Sequence, residues 1–579
     1  MSRDDARPPG SPGPGDDEPA PDDDAAASAG ETASGGDPTA AGGEAASGGD
    51  PTASGGKPTA TGDPTASGGK PTATGDPTAS GGDPTASGIG RDPARSPEAS
   101  APTGSLRSRA ALSTYATAVQ GLGRLLYSVL IGNLGSRELL GQTNTSLSLS
   151  VLTSQLWAAP AATAGTRFVA LRATLGDPEG AATVARHIAN RTALLGLVLP
   201  TSVALAGSLW LGFGTAQTIG TVLLAYAYSM YSTLRGVQYG RLRFRHVAVW
   251  DTVAAATALV AVVVVLALDV TVLALLPITL GYALFAVASW PARAAGRVDP
   301  AVRREIDHFV LFGAVSGLAS GGLLQLSQLA AHSYAGPAEA GDYAAALTLA
   351  TPASMLSIAL STVLVPPLVA AAGRGDRAAV HSHSDAIARR LTAIFVGLFG
   401  VLVIVSPLAI AVVWGEEYRA AAAILPVLLV AVMLTSIALG AATTLQSTRA
   451  RGPRAVAYLN VAGLVASLAV WPVLAPRLGT TGVALGYLVG AGLASLGALG
   501  TVWRVERHRW VDLAARLVGG TALVLVLAGL ARGVEGPAGA VAQLGAAAAF
   551  GLVWLALNRR EVAALWATVR GRSAPPATT

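Results

Sequence analysis

Ser113, Thr117, Gln120, Arg124 and Tyr127 or Ser128 recur at spacings of three and four within a mostly apolar stretch, so a helix would carry them as one stripe. At 1.5 Å per residue, Arg124 lies roughly 22 Å from Arg109 and roughly 20 Å from Arg137, near the middle of a membrane crossing. A guanidinium at that depth costs at least about 2.5–3.5 kcal/mol unless it faces protein or water. A polar stripe with a midplane cation suits a hydrated cavity, where arginine grips phosphate oxygens with a bidentate fork. The competing reading is an arginine tied to neighbouring carbonyls for packing. A second stripe, Gly317, Gly321, Gln325, Gln328 and His332, has the same spacing without the charge. GRLLYSVLIGNLGSRELLGQ (123–142) and GGLLQLSQLAAHSYAGPAEAGDY (321–343) both run G-x-L-L into a polar-striped helix. Such an internal repeat is expected of transporters built from matched halves.

The elements that position these residues follow from composition. The chain has 579 residues, 51% hydrophobic and 13% charged, with mean hydropathy +0.49, whereas a soluble chain carries about 25% charged residues. After residue 110 come 14 apolar segments, from 112–134 to 537–557, each near the length that crosses a bilayer. The last two are the weakest, with 12 as the alternative count. The expected fold is an all-α polytopic membrane protein, with segment two (142–164) facing protein because it is rich in Ser and Thr. Apart from Arg124, no charge is expected deep in a segment; Asp251, Asp269, Asp342, Glu417 and Asp512 read as helix-end residues.

Residues 1–105 hold six basic and 17 acidic residues, net −11, and the remainder holds 34 and 18, net +16, which sums to the total of +5. The DPTASGGKPTATG repeat at 50–62 and 63–75 has no bulky apolar side chain to bury, so 1–105 reads as a disordered tail. The first membrane segment would then act as an uncleaved signal. The basic surplus reports topology rather than nucleic acid. Placing the tail inside puts 29 arginines on inner loops and ends, against only Arg137, Arg419, Arg477 and Arg532 outside. Both termini are therefore expected in the cytoplasm.

Several chemistries fall away. There is no cysteine, no GxxxxGK[ST] and no lysine beyond Lys70. No loop after the tail is long enough to fold as a catalytic domain. The seven histidines lie near segment ends, with His381 and His383 in a charged loop, and read as solvated residues rather than metal ligands. No catalytic residue, metal or cofactor is expected, and the chain is not read as an enzyme.

Four further stretches are distinctive: IGNLGSRELLGQTNTSLSL entering helix two, AGTRFVALR (164–172), GDYAAALTLATP (341–352) leading to STVLVPPL (361–368), and VVWGEEYRAAAAILPVL (412–428). With the helix count, residues 110–560 resemble the polysaccharide flippases of the multidrug/oligosaccharidyl-lipid/polysaccharide exporter superfamily. The resemblance implies a six-helix lobe over 106–300, a second over 301–510, and two extra helices with a cytoplasmic C-terminus over 511–579. It implies alternating access that moves a polyprenyl-pyrophosphate-linked oligosaccharide across the plasma membrane for cell-surface polysaccharide or lipopolysaccharide biosynthesis. Membrane lipid, a glycan polymerase and glycosyltransferases are the partners it implies. In lipid II flippases of the superfamily, arginines in the first helix bind the pyrophosphate, and Arg124 sits in a comparable place; the two stripes put Ser113, Thr117, Gln120, Gln325, Gln328 and His332 in the expected cavity lining. The further cavity arginines of those flippases are not recognisable in this sequence, which points to a glycan other than lipid II. Two alternatives stay open. A small-molecule drug exporter would need a midplane carboxylate, and none is visible. A membrane scaffold for glycan assembly would need the tail and loops but not the stripes.

Overall fold

The computed structural model describes residues 103–569, apart from 293–295, 450 and 535. The expected disordered tail, 1–105, falls almost wholly outside that range. Among the described residues no strand forms, and the chain is an all-α polytopic membrane protein.

Helix α1 (Thr103–Leu134) turns at Gly135 into α2 (Arg137–Ser154), where the Ser136 hydroxyl accepts from the Leu139 amide at 3.1 Å. This is the N-cap contact that satisfies an otherwise unpaired donor. A break at 155–157 leads to α3 (Ala158–Ala164), a π-helical turn (Gly165–Val169) and the short α4 (Ala170–Thr174). Then follow α5 (Pro178–Trp210), α6 (Thr215–Gly240), α7 (Phe244–Ala267), α8 (Leu276–Ala288), α9 (Pro300–Ala335) and α10 (Pro337–Gly373). After these come α11 (Arg377–Ile404), the short α12 (Ser406–Trp414), α13 (Ala421–Thr448) and α14 (Gly452–Glu506). Helices α15 (Val511–Arg532), α16 (Pro537–Leu557) and α17 (Arg559–Val569) end the chain. Asp177, Asp299 and Asp376 cap α5, α9 and α11 in the same way as Ser136 caps α2.

Each of the 14 expected segments overlaps helix, although 142–164 is broken at 155–157 and 390–413 runs from α11 into α12. Nine helices among the described residues are long and apolar enough to cross a membrane by length and composition. The 55-residue α14 is in fact two arms, broken at Gly479, whose φ of 58° and ψ of −139° no helix accommodates. The arms fold back on each other, with Trp471 Nε1 donating to Val483 O at 3.0 Å and Ser467 Oγ to Gly486 O at 2.9 Å. Side chains are sorted as lipid solvent requires. On α5 the apolar Leu194, Leu197 and Val198 point outward, whereas on α2 the buried face carries Thr145, Ser146, Ser150 and Thr153. Their hydroxyls are satisfied within the helix, as in Thr145 to Gly141 O at 2.7 Å and Ser150 to Ser146 O at 2.8 Å.

The helices gather into two groups. Helix α1 lies on α7, α7 on α8, and α6 on α2, α5 and α8; farther on, α13 lies on α10, α11 and α14, and α14 on α9. Between these groups, α2 meets both α9 and α10, and α1 meets α10. Helices α15 and α16 dock on α11, where Trp554 Nε1 donates to Ala393 O at 2.6 Å.

His381 and His383 lie in the first turns of α11, not in a loop. The His381 ring faces His508 at 4.1 Å, and His508 stacks on Trp510 at 4.5 Å, in the connection between α14 and α15. Asp385, Arg389 and Glu506 surround this stack; Asp385 accepts from Trp510 Nε1 at 2.8 Å. Burial, then the neighbouring His381, pushes the His508 pKa below the usual imidazole value. A depressed histidine pKa means that the unfolded chain takes up the proton first. Stability from this site is therefore present above about pH 6.5 and falls as the solution is acidified below it. Thermal unfolding should show lower stability at about pH 5.5 than at pH 7.5, and His508→Phe, which stacks without titrating, should flatten that dependence. An unchanged pH profile in the variant would remove His508 from the account.

Candidate functional site

The polar stripe of α1 packs against α7. A Cβ added at Gly123 would meet the Ala255 side chain at 3.0 Å, so the two helices are close at that level. This closeness turns Arg124 into a narrow space of about 30 Å³ shared with Gln120, Tyr127, Tyr231, Asp251 and Tyr282. Such a space holds about two waters. Arg124 is half-buried, and among the described residues no hydrogen bond or ion pair holds its guanidinium. The packing alternative, in which carbonyls tie it down, has no contact here to support it.

Asp251 was expected at a helix end, and the structure corrects that. It is 3% exposed, seven residues inside α7. Arg235 Nε donates to its Oδ2 at 3.0 Å, and Tyr231 OH donates to its Oδ1 at 2.9 Å. Arg235 also reaches Thr117 Oγ1 at 3.4 Å and lies 5.2 Å from the Tyr239 ring centroid. By sequence Arg235 is one of the 29 arginines assigned to inner loops and helix ends, near the end of the segment at 216–236. The signal that could have found the pair is the i, i+4 spacing of Tyr231 and Arg235 on one helix face.

Gln120 also borders a larger cavity of about 460 Å³, lined by Thr163, Thr166, Arg167, Ser232 and Arg235 among others. Backbone contact between α3 and α6 shapes it. Thr166 Oγ1 donates to Gly236 O at 3.0 Å, and a Cβ at Gly165 would lie 2.9 Å from the Val237 side chain. The π-helical turn sits there, and such turns recur at functional positions because they re-aim side chains. It presents Arg167, whose guanidinium lies 5.3 Å from the Phe309 ring centroid of α9. Arg167 and Arg235 line this larger space, which adjoins the Arg124 space through Gln120 and Tyr231. Asp251 offsets Arg235, while Arg124 in the narrow space and Arg167 in the larger one have no carboxylate paired with them among the described residues.

The other expected residues are placed as follows. Thr117 touches Arg235, and Ser113 is half-buried one turn nearer the N-terminus of α1. Gln325 is half-buried on α9. Gln328 is fully buried, its Nε2 donating to Ala340 O at 3.1 Å and Thr145 Oγ1 at 3.3 Å, with Oε1 unpartnered. His332 is buried against Phe213, rings 5.3 Å apart and perpendicular. In this conformation Gln328 and His332 belong to a closed seam at the arginine-poor end. There Arg137 pairs with the buried Asp342, Tyr418 OH donates to Gly132 O at 3.1 Å, and Asn133 Nδ2 to Val413 O at 3.0 Å. Gly141 and Gly341 let the start of α2 and the start of α10 touch backbone to backbone.

No family model matches the chain, and no curated protein does. Solved structures do. The chain is similar to the lipid II flippase MurJ in an inward closed conformation, with TM-score 0.60 and 12% identity over 78% of this chain and 99% of that one. It is similar to a multidrug resistance MATE family transporter of the MOP superfamily in an inward-facing conformation, with TM-score 0.53 and 14% identity over 67% and 95%. A MOP superfamily transporter from Pyrococcus furiosus, titled for the reverse polarity of its binding pocket, gives TM-score 0.51 and 16% identity over 69% and 95%. At such identities the likeness is one of fold: the chain has the architecture of MOP superfamily transporters.

Proposed function

We propose that the chain is a flippase that carries a polyprenyl-pyrophosphate-linked oligosaccharide across the plasma membrane for cell-surface polysaccharide assembly. The two helix groups act as lobes that alternate access, with the arginine-rich end and both termini in the cytoplasm. The observation that carries this reading is Arg124, without an ion pair among the described residues, in a space that shares Gln120 and Tyr231 with the cavity lined by Arg167 and Arg235. A pyrophosphate headgroup supplies the counter-charge that this arrangement lacks, while sugars need the Gln, Ser and Thr side chains around it. Glycosyltransferases or a polymerase working on the same glycan are the partners that fit.

A second reading, export of small organic cations, gains from one observation. Asp251 is a buried carboxylate of the kind such an exporter needs. Its charge is matched by Arg235, which weighs against it as a cation site. Reconstituted vesicles separate the two. The flippase reading expects polyprenyl-pyrophosphate oligosaccharide to appear in the opposite leaflet, and expects Asp251→Asn to retain headgroup capture. Proton-driven efflux of a fluorescent organic cation, abolished by Asp251→Asn, would establish the exporter instead. Absence of both activities from folded protein would favour the scaffold.

A further inference from the structure

A second cationic space lies outside the transport site. Thr183, Arg186, His187 and Asn190 of α5 face Arg297 and Arg303 across the 296–300 segment that joins α8 to α9, around a cavity of about 620 Å³. No carboxylate lines it. Two of the nearby acids are engaged: Asp307 pairs with Arg191 at 3.1 Å, and Asp299 caps α9 through the Ala301 amide at 2.8 Å. Arg186 is held in place, its Nη1 donating to Pro291 O at 2.7 Å and its guanidinium 5.4 Å from the Trp290 ring centroid. His187 Nε2 is buried without a hydrogen-bond partner. Among the described residues the side chains of Arg297 and Arg303 make no ion pair. Three guanidiniums and an unpartnered imidazole nitrogen thus border one space, whose remaining wall includes Gly296, Val298 and Pro300.

Depth indicates what fills it. Arg186 precedes Thr192, where the apolar stretch of α5 begins, by about 9 Å along the helix, which is the depth of the phosphate layer. Immediately beyond, Leu194 is 67% exposed and Leu197 and Val198 are each 61% exposed, a surface for acyl chains. A soluble anion would use the cations but not that apolar wall. We propose that the space binds the phosphate headgroup of an anionic phospholipid, and that the bound lipid ties α5 to the α8–α9 connection. Arginine suits this role because its planar fork meets two phosphate oxygens at once.

The test uses the purified full-length protein in vesicles of phosphatidylcholine alone or with one fifth phosphatidylglycerol. Wild type should retain phosphatidylglycerol through delipidation and melt at a higher temperature in the mixed vesicles. Arg297→Gln with Arg303→Gln should weaken retention about tenfold or more, because each arginine near the surface contributes independently to headgroup attraction. Both side chains are exposed and unpaired, so folding is not at stake. Arg559→Gln with Arg560→Gln on α17, with the same charge change, should leave retention intact. Equal retention by wild type and the first double variant would overturn the proposal. So would an equal loss in both double variants, which would mean that net charge alone acts. Equal protection by millimolar inorganic phosphate in phosphatidylcholine vesicles would make it a soluble-anion site and overturn the lipid assignment.

Discussion

With the proposed flippase activity, Arg124→Ala is expected to lower delivery of polyprenyl-pyrophosphate oligosaccharide at least about tenfold and to leave the protein folded in the membrane. A charge-assisted contact is worth about 1.5–3 kcal/mol, and every 1.4 kcal/mol is a factor of ten. Folding should be spared because among the described residues no ion pair involves this guanidinium, so its loss strands no buried carboxylate there. Arg124→Lys keeps the charge but loses the fork and should retain part of the activity. Arg124→Glu sets like charges together and should be worst. Arg235→Ala is the contrasting variant. It leaves Asp251 buried without its partner, a loss of about 3–5 kcal/mol that should appear as reduced folded protein before any transport assay. Normal transport by Arg124→Ala, or its failure to fold, would return Arg124 to a packing role.

Gly141→Val is expected to have the other large effect, on which end of the molecule opens. A Cβ at Gly141 would fall well inside contact distance of Pro337 O and 2.8 Å from Gly341 N. Neither atom can yield, because both belong to the backbone that starts α10. The seam between α2 and α10 then cannot close, and Arg137 and Asp342 are pulled apart at the same place. The chain has no cysteine of its own, so single cysteines report this directly. A cysteine at Gln328, buried in the closed seam, should react slowly with a water-soluble thiol reagent in the parent and at least about tenfold faster beside Gly141→Val, since burial limits attack by access. Unchanged reactivity in a folded variant would mean that the seam tolerates a side chain and does not set the conformation.

Hydropathy alone determined that this chain crosses the membrane repeatedly as helices, since a backbone in hydrocarbon must satisfy its own hydrogen bonds. The Ser and Thr content of segment two put it against protein, and the α2 hydroxyls are buried there. The three- and four-residue spacing put Ser113, Thr117, Gln120 and Arg124 on one helix. Pairing across the chain was not legible. Asp251 and Arg235 each sit near a helix end in sequence, where a charge is ordinarily solvated. They become a buried pair only because α6 and α7 pack beside α1 at that level. Arg167 read as one more topological arginine until the π-helical turn aimed it into the cavity. Gln328 and His332 had the periodicity of a cavity stripe, yet α2, α10 and Phe213 cover them in this conformation. Local pattern decides which face of a helix is polar, because that depends on residues a turn apart. What the face meets depends on helices tens to hundreds of residues away, and only the tertiary packing brings them together.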